Sequence, residues 1–258
     1  MRILLSNDDG ILAPGLAALY AAVADMGPVT VAAPDSPQSA AGHAITIRRP
    51  LAVHRVEVDG PPAFSAFSVA GRPADCVRLA VRSLMDAPPE LVLTGLNAGS
   101  NVGINVFYSG TVAAAAEAAM LGLPAVAFSA ETADGETDFA AAWRQRREGL
   151  TISLSAGLAP GELVNVNVPL LGEGRPRGVR LAAQSTAGIE DVYHRDVGAD
   201  GSESYRLGDE YSFTAEQENT DVVALAEGYV TVTPLHVDMT DRRRLDDLAG
   251  RDWSGAAD

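Results

Sequence analysis

The 258-residue chain contains no lysine, and all 19 of its basic side chains are arginine. This absence excludes every chemistry that needs a lysine amine, including the phosphate-binding lysine of P-loop enzymes and Schiff-base catalysis. It also excludes a receiver-type signalling domain, which needs a lysine beside its acidic site. Coding bias in an alanine- and arginine-rich genome accounts for the absence itself.

Cysteine is nearly absent as well, since Cys76 is the only one. A single cysteine allows no internal disulfide and no cysteine metal cluster. Its context, Ala74-Asp75-Cys76-Val77, favours a buried position in a helix over a nucleophile.

The sequence also lacks an excess of positive charge and long apolar runs. It has 34 acidic side chains and a formal charge of -15, the wrong sign for nonspecific binding to nucleic acid. No apolar run reaches the ~20 residues of a membrane helix, and the apolar stretch at the start is too short for a signal peptide. We therefore expect a cytoplasmic protein that binds small molecules or cations, and neither nucleic acid polymers nor membranes.

Apolar strands and helices alternate along the first part of the chain. Ile3-Leu4-Leu5 predicts a buried strand, a helical pattern follows, and residues 29–33 predict a second strand. The crossover between them implies parallel pairing. Further strand and helix units extend to Phe128, so we predict an α/β fold with a Rossmann-like, doubly wound and mainly parallel sheet.

The pattern changes after about residue 170, where glycine and charge separate shorter segments. We interpret Val179-Arg180-Leu181 and residues 189–193 as parts of hairpins, residues 228–233 as a returning strand, and the last segment as a short amphipathic helix. The predicted division is a catalytic core of residues 1–180 and a C-terminal hairpin and helix extension of residues 181–258, which makes subunit contacts.

Three predicted loops that follow strands are rich in oxygen-bearing side chains. Ligands of an open parallel sheet bind at the carboxyl ends of its strands, so we expect these loops to line one crevice. The loops are Asn7-Asp8-Asp9-Gly10, residues 35–43 with Ser39 and His43, and residues 95–105 with Asn97 and Asn101.

The pair Asp8 and Asp9 places two negative charges side by side. Holding both carboxylates ionised in a crevice is costly unless a cation or a backbone dipole faces them. Oxygen ligands without clustered histidine or cysteine select a magnesium- or manganese-like ion over zinc. The alternative is that one of the two simply caps the following helix.

A second segment, Ser109-Gly110-Thr111, opens the predicted alanine-rich helix. Free backbone N–H groups, two hydroxyls and the positive end of the helix dipole suit a phosphate. The alternative is an ordinary helix cap. A cation site and an anion site at one sheet edge together indicate a metal-assisted phosphate enzyme.

Several segments, spread over nearly the whole chain, match the motifs of one protein family in that family's order. They are Ser6-Asn7-Asp8-Asp9-Gly10-Ile11, Ala33-Pro34-Asp35 with Gln38-Ser39, Gly71-Arg72-Pro73-Ala74-Asp75-Cys76, Thr94-Gly95-Leu96-Asn97-Ala98-Gly99-Ser100-Asn101-Val102-Gly103, Tyr108-Ser109-Gly110-Thr111-Val112-Ala113-Ala114, and Gly228-Tyr229-Val230 with Thr233-Pro234-Leu235. On these segments the chain resembles the stationary-phase survival protein SurE family of metal-dependent nucleotidases.

The resemblance implies hydrolysis of nucleoside 5'-monophosphates to nucleoside and phosphate, with 3'-monophosphates and short polyphosphate as further substrates. It implies a C-terminal region that exchanges between subunits in a homodimer or homotetramer. One divalent cation per subunit, Mg²⁺ or Mn²⁺, is implied. From the residues themselves we expect either Asp8 or Asp9 to orient the attacking water. The implied metal ligands are Asp8, Asp9, Ser39 and Asn97, and the implied phosphate contacts are Asn101, Ser109, Gly110 and Thr111.

One position departs from the family's pattern. Many members have glycine directly after the Gln-Ser pair, whereas this chain has Ala40 after Ser39.

Two other functions compete with a SurE-type nucleotidase. A haloacid-dehalogenase-type phosphatase attacks phosphorus through the first aspartate of an Asp-x-Asp motif, but here Asn7 precedes Asp8 and Asp9, so that nucleophile is missing. A catalytically silent module that senses a metal-nucleotide complex is the second.

His43 has two interpretations. It lies four residues after Ser39, which makes it a candidate general acid for the leaving alkoxide. The alternative is an incidental or structural histidine.

Overall fold

The computed structural model describes residues 1–132, 157–170, 174–215 and 217–251. Its strands are β1 (Ile3–Ser6), β2 (Val29–Pro34), β3 (Val53–Val58), β4 (Phe64–Val69), β5 (Leu91–Ala98), β6 (Ala125–Ala130), β7 (Leu163–Val168), β8 (Val179–Leu181), β9 (Ile189–Val197), β10 (Glu203–Phe213) and β11 (Val230–Leu235). Its helices are α1 (Pro14–Val23), α2 (Pro73–Leu79), α3 (Gly110–Met120), α4 (Asp221–Ala226) and α5 (Arg242–Ala249), with a π-helical turn at Ala80–Leu84 and a 3₁₀ helix at Gly103–Phe107.

Nine of the strands form one sheet in the order β3-β4-β2-β1-β5-β6-β7-β11-β8. The pairs from β4 through β2, β1, β5 and β6 to β7 are parallel, and so is the pair of β11 with β8. Only β3 with β4 and β7 with β11 pair antiparallel within the described sheet. The predicted α/β fold with a mainly parallel sheet is confirmed.

Helices cover both faces of the sheet. Successive side chains of a strand point to opposite faces, so an apolar strand such as β1 has apolar side chains on both faces that need covering. Ile3 and Leu5 lie in one apolar cluster with Leu16 of α1. Leu4 lies in the other cluster with Val77 of α2 and the alanines of α3. Full burial of each of these leucines contributes roughly 1.5–3 kcal/mol, which accounts for the continuous apolar run of β1.

The helix α3 begins at Gly110, within the Ser109-Gly110-Thr111 segment that was expected to open it. Alanine is the strongest helix former, and its single methyl group allows α3 to pack closely over the sheet. The side chain of Ser109 caps the helix, since its Oγ accepts a hydrogen bond from the backbone N–H of Val112 at 3.0 Å. The only cysteine, Cys76, is fully buried in α2, as expected.

The C-terminal segments contribute to two sheets. The interpretation of Val179–Leu181 as part of a hairpin is wrong, because β8 pairs parallel with β11 at the edge of the central sheet. Strands β9 and β10 do form a long antiparallel hairpin, which confirms the hairpin expected around residues 189–193. The division at residue 180 stays a prediction, and β11, although distal to it, is a strand of the central sheet.

The polar loops follow the carboxyl ends of three neighbouring strands, and these ends form the edge of the sheet at which the site lies. Strands β2, β1 and β5 are parallel neighbours, so their carboxyl ends point the same way. The Asn7-Asp8-Asp9-Gly10 turn follows β1, the Ser39 loop follows β2, and Asn97 lies at the end of β5.

In the described ranges, no helix has both the length and the apolar character needed to cross a membrane.

Candidate functional site

The turn after β1 is closed by its own asparagine. The fully buried Asn7 donates a hydrogen bond from Nδ2 to the carbonyl oxygen of Gly10 at 2.9 Å, and its Oδ1 accepts one from the Gly10 N–H at 3.2 Å. Gly10 has a φ of 100°, a conformation that favours glycine. These contacts fix the backbone from which Asp8 and Asp9 project.

Asp8 lies against the first turn of α3. It is 6% exposed, and the hydroxyl of Thr111 donates a hydrogen bond to its Oδ1. A Cβ atom at Gly110 would lie 2.7 Å from the Asp8 Cβ and 2.9 Å from Oδ2, so only glycine allows this approach. Burial raises the pKa of Asp8, although hydrogen bonds from Thr111 and Gly110 oppose the effect.

Asp9 is only partly buried and is less well supported. The backbone N–H of Ala98 donates a long hydrogen bond to Asp9 Oδ2 at 3.4 Å. Burial and then the adjacent Asp8 charge raise the pKa of Asp9 to about 6. In the parts of the chain that the structure describes, neither aspartate forms an ion pair with a basic side chain. The pair therefore carries an electrostatic cost that a cation would remove.

Ser39, a predicted metal ligand, lies in an exposed loop beside this pair. The neighbouring Gln38 donates its backbone N–H to the carbonyl oxygen of Asp8 at 2.8 Å, which attaches the loop to the turn after β1. Ala40 has a φ of 53°, in the left-handed region that favours glycine. The departure from the family's glycine therefore falls where the backbone conformation is unfavourable for alanine.

Asn97, the other neutral ligand in the prediction, adjoins Asp9 through the backbone. It precedes Ala98, whose N–H contacts Asp9, and its own Nδ2 donates a hydrogen bond to the carbonyl oxygen of Gly99 at 2.8 Å. The amide nitrogen is therefore engaged with the loop, which leaves Oδ1 as the atom that would bind a cation. The ligand roles of Ser39 and Asn97 stay predictions.

Asn101 is held by three side chains that were not among the predicted site residues. Its backbone N–H donates to Asn167 Oδ1 at 2.7 Å, and its carbonyl oxygen accepts from Asn165 Nδ2 at 2.7 Å. Its own Nδ2 donates to Ser129 Oγ at 2.8 Å. The second N–H of that amide has no acceptor within the described parts of the chain, and the predicted phosphate contact stays a prediction. The sequence held one indication of this support, because two asparagines interrupt the otherwise apolar Leu163–Val168 segment.

A buried carboxylate of the C-terminal segment supports the same loop. Asp221 is fully buried, and its oxygens accept hydrogen bonds at 2.9 Å from the backbone N–H groups of Gly103, Ser185 and Val222. Burial raises the pKa of Asp221, against the effect of these hydrogen bonds. The loop after β5 therefore takes its shape partly from a residue that lies more than a hundred positions later in the chain.

Ser109 at the start of α3 is a helix cap, as the alternative interpretation expected. The predicted phosphate contacts there stay a prediction. Ser109 caps the helix, and among the described residues no hydrogen bond uses its hydroxyl hydrogen. The backbone N–H groups of Gly110 and Thr111 face the Asp8 carboxylate. A phosphate bound here would share these donors with Asp8, which is consistent with a cation that binds both anions.

His43 does not point toward the start of α3. Its Nε2 lies 2.9 Å from Oε2 of Glu117, which is seven residues after Gly110 and therefore about 10 Å along the helix axis. This position favours the structural interpretation of His43 over a general acid.

The donor set fits a hard divalent cation. In the described residues, no group of three or more histidine, cysteine, aspartate or glutamate side chains converges on one point. A cation here would therefore bind the two carboxylates together with neutral oxygens, as Mg²⁺ or Mn²⁺ does and as a structural zinc does not.

The raised pKa of Asp9 predicts a pH-dependent gain from removing its charge. The folded state binds the Asp9 proton more tightly than the unfolded state, so ionised Asp9 destabilises the metal-free fold above about pH 6. In EDTA at pH 8, Asp9→Asn should raise the free energy of unfolding by on the order of 1 kcal/mol, after allowance for partial exposure. The difference should shrink as the pH falls from 6 toward 3.8.

Urea unfolding of the two proteins measures this difference. The matched control is Asp86→Asn, which removes the charge of an exposed aspartate elsewhere. Equal stabilities of wild type and Asp9→Asn at pH 8 would show that the paired charges carry no cost.

The chain is similar over nearly its whole length to known proteins. The family model of the survival protein SurE matches residues 3–191. A 5'-nucleotidase SurE from Syntrophobacter fumaroxidans is 44% identical over 248 residues, covering 96% of this chain and 98% of the relative. The 5'-nucleotidase SurE 1 of Thermus thermophilus is 42% identical, covering 97% of each. The crystal structure of SurE from Aquifex aeolicus matches with a TM-score of 0.79 and 34% identity, covering 96% of this chain and 98% of that one.

Proposed function

The chain belongs to the SurE family of survival proteins, and on that premise we propose that it is a metal-dependent 5'-nucleotidase. Its reaction would convert a nucleoside 5'-monophosphate to nucleoside and phosphate, with 3'-monophosphates and short polyphosphate as further substrates. The observation that carries the proposal is the Asp8 carboxylate against the start of α3, with Asp9 beside it. The names of the relatives, 5'-nucleotidase SurE, support the same activity.

The residues at the sheet edge fit one divalent cation, Mg²⁺ or Mn²⁺. Asp8 and Asp9 would hold it together with the neutral oxygens of Ser39 and Asn97. When bound, such an ion acts as a Lewis acid toward a phosphoryl group and lowers the pKa of water. The raised pKa of Asp9 supports this assignment, because the pair lacks a compensating positive charge in the described residues.

The protein's own groups would bind and orient the substrate. The N–H groups at the start of α3, the Ser109 hydroxyl and the remaining N–H of Asn101 are donors for the phosphoryl oxygens, on which negative charge accumulates. One carboxylate of the Asp8 and Asp9 pair would accept a hydrogen bond from the attacking water and orient it. Gly110 contributes by having no side chain between the helix and the carboxylate.

The structure weakens the case for a haloacid-dehalogenase-type phosphatase. Both polar atoms of the Asn7 amide are engaged with Gly10, so this side chain shapes the turn. The position that such an enzyme gives to its nucleophilic aspartate therefore holds a structural amide.

Phosphate release tests the proposal directly. Purified protein with Mn²⁺ should release phosphate from AMP or GMP, and excess EDTA should stop the release. Asp8→Asn or Asp9→Asn should lower kcat/KM by on the order of 100- to 1000-fold, because several kcal/mol of charge stabilisation depend on the cation, at about 1.4 kcal/mol per tenfold.

Asp200→Asn is the control, since that exposed aspartate lies in the turn between β9 and β10. Near-wild-type rates in both pair variants would contradict the role of the pair. Tight binding of AMP without any turnover would support the sensing module in place of the enzyme.

We also propose that the protein works in the cytoplasm as a homodimer or homotetramer, joined through its C-terminal extension. Large apolar side chains of the β9–β10 hairpin are exposed, among them Tyr193, Val197 and Tyr205. Helix α5 buries none of its residues, although it carries the half-exposed Leu245. Elements of this kind gain stability when a second subunit covers them.

Sedimentation measures the oligomeric state. The wild-type protein should sediment as a dimer or a tetramer at micromolar concentration. Replacing exposed hairpin residues, as in Tyr193→Ser with Tyr205→Ser, should reduce the assembly if the hairpin forms the contact. A wild-type protein that sediments as a monomer would contradict the proposed assembly.

A further inference from the structure

A buried carboxylate holds the far end of the Ser39 loop. Glu117 lies in the middle of α3 and is 1% exposed. His43, four residues after Ser39, contacts Glu117 Oε2 through Nε2 at 2.9 Å. Arg78 of α2 donates a hydrogen bond from Nε to Glu117 Oε1 at 2.8 Å. One side chain of α3 therefore connects α2 to the loop after β2.

The contact between His43 and Glu117 has a defined direction. Burial opposes the charge of Glu117, but hydrogen bonds from His43 and Arg78 outweigh it, so the pKa of Glu117 lies below its usual value. The carboxylate is therefore ionised and only accepts hydrogen bonds, and His43 Nε2 must donate. A hydrogen bond to a charged, buried partner contributes more than a neutral one.

The loop needs such support because its backbone is unfavourable by itself. Ala40, next to Ser39, has a left-handed φ of 53°, a conformation that is unfavourable for a residue other than glycine. A conformation of this kind persists only where the surroundings determine it. On one side of Ala40, Gln38 bonds to the Asp8 carbonyl at 2.8 Å, and on the other, Gly42 N–H donates to the Tyr108 carbonyl at 2.9 Å.

We propose that Glu117 and His43 are positioning residues, which hold the Ser39 loop in the conformation that completes the cation site. His43 then acts through the loop and has no contact with the reacting atoms. The part of this inference that concerns metal affinity and rate rests on the proposed nucleotidase function. The part that concerns the loop's conformation stands on the structure alone.

Four variants test the pair. His43→Ala removes the donor, His43→Gln keeps a side-chain N–H that reaches toward Glu117, and Glu117→Gln removes the charged acceptor. Glu227→Gln is the matched control, because it makes the same change in an exposed ion pair. Its partner, Arg180, lies in β8, the outermost strand of the sheet. The three readouts are hydrogen exchange of the amides of residues 36–46 in metal-free protein, the Kd for Mn²⁺, and kcat at saturating Mn²⁺.

His43→Ala should speed exchange in residues 36–46 and leave exchange in β1 and β5 unchanged. Its Kd for Mn²⁺ should rise about tenfold, as is typical when a group that orients a metal ligand is lost. At saturating Mn²⁺, kcat should stay within about threefold of wild type, because the lost interaction acts on binding of the ion. His43→Gln should restore most of the affinity, and Glu117→Gln should resemble His43→Ala.

Three results would overturn the inference. The first is unchanged loop exchange and unchanged Mn²⁺ affinity in His43→Ala. The second is faster exchange throughout the protein, which would indicate a loss of stability only. The third is a large fall in kcat at saturating Mn²⁺, which would make His43 catalytic.

If wild type releases no phosphate from any nucleotide, the proposed function fails, while loop exchange still decides the positioning role. If Glu117→Gln does not fold, the comparison of His43→Ala with His43→Gln carries the test.

Discussion

The contact between the Asp8 carboxylate and the start of α3 is the constraint on which the rest of the site depends. It requires glycine at position 110, because any Cβ there would collide with Asp8. It also fixes the helix above the sheet edge, with the Thr111 hydroxyl on the same carboxylate. The start of a helix, which favours anions, thus lies against the same carboxylate that we propose as a cation ligand.

Supports for this arrangement come from distant parts of the chain. Asn165 and Asn167 of β7 hold the backbone of Asn101, and Asp221 holds Gly103 from the C-terminal segment. Glu117 holds the Ser39 loop from within α3 through His43. The loops after β2 and β5 are therefore held by polar side chains outside them, as expected where long polar loops must present oxygens in fixed positions.

Local patterns predicted much of this structure, and long-range pairing explains what they did not predict. The run Ile3-Leu4-Leu5 indicated β1, and the polar turn after it indicated the site, because both are contiguous in the sequence. The antiparallel β3–β4 pair and strand β7 were not predicted, and β8 was interpreted as part of a hairpin, although it pairs with β11 some fifty residues later. The role of Asp221 was likewise hidden, since its partner Gly103 is 118 residues away. A periodicity shows that a segment is a strand, but it does not show which strand lies beside it.

We propose that the adjacent carboxylates of Asp8 and Asp9 bind a cation beside the start of α3. Anomalous diffraction from crystals soaked with Mn²⁺ tests this claim most directly. We expect one Mn²⁺ peak per subunit, about 2.1 Å from a carboxylate oxygen of each aspartate, the distance typical of a hard divalent ion. Mn²⁺ bound elsewhere, with no peak at this pair, would contradict the claim.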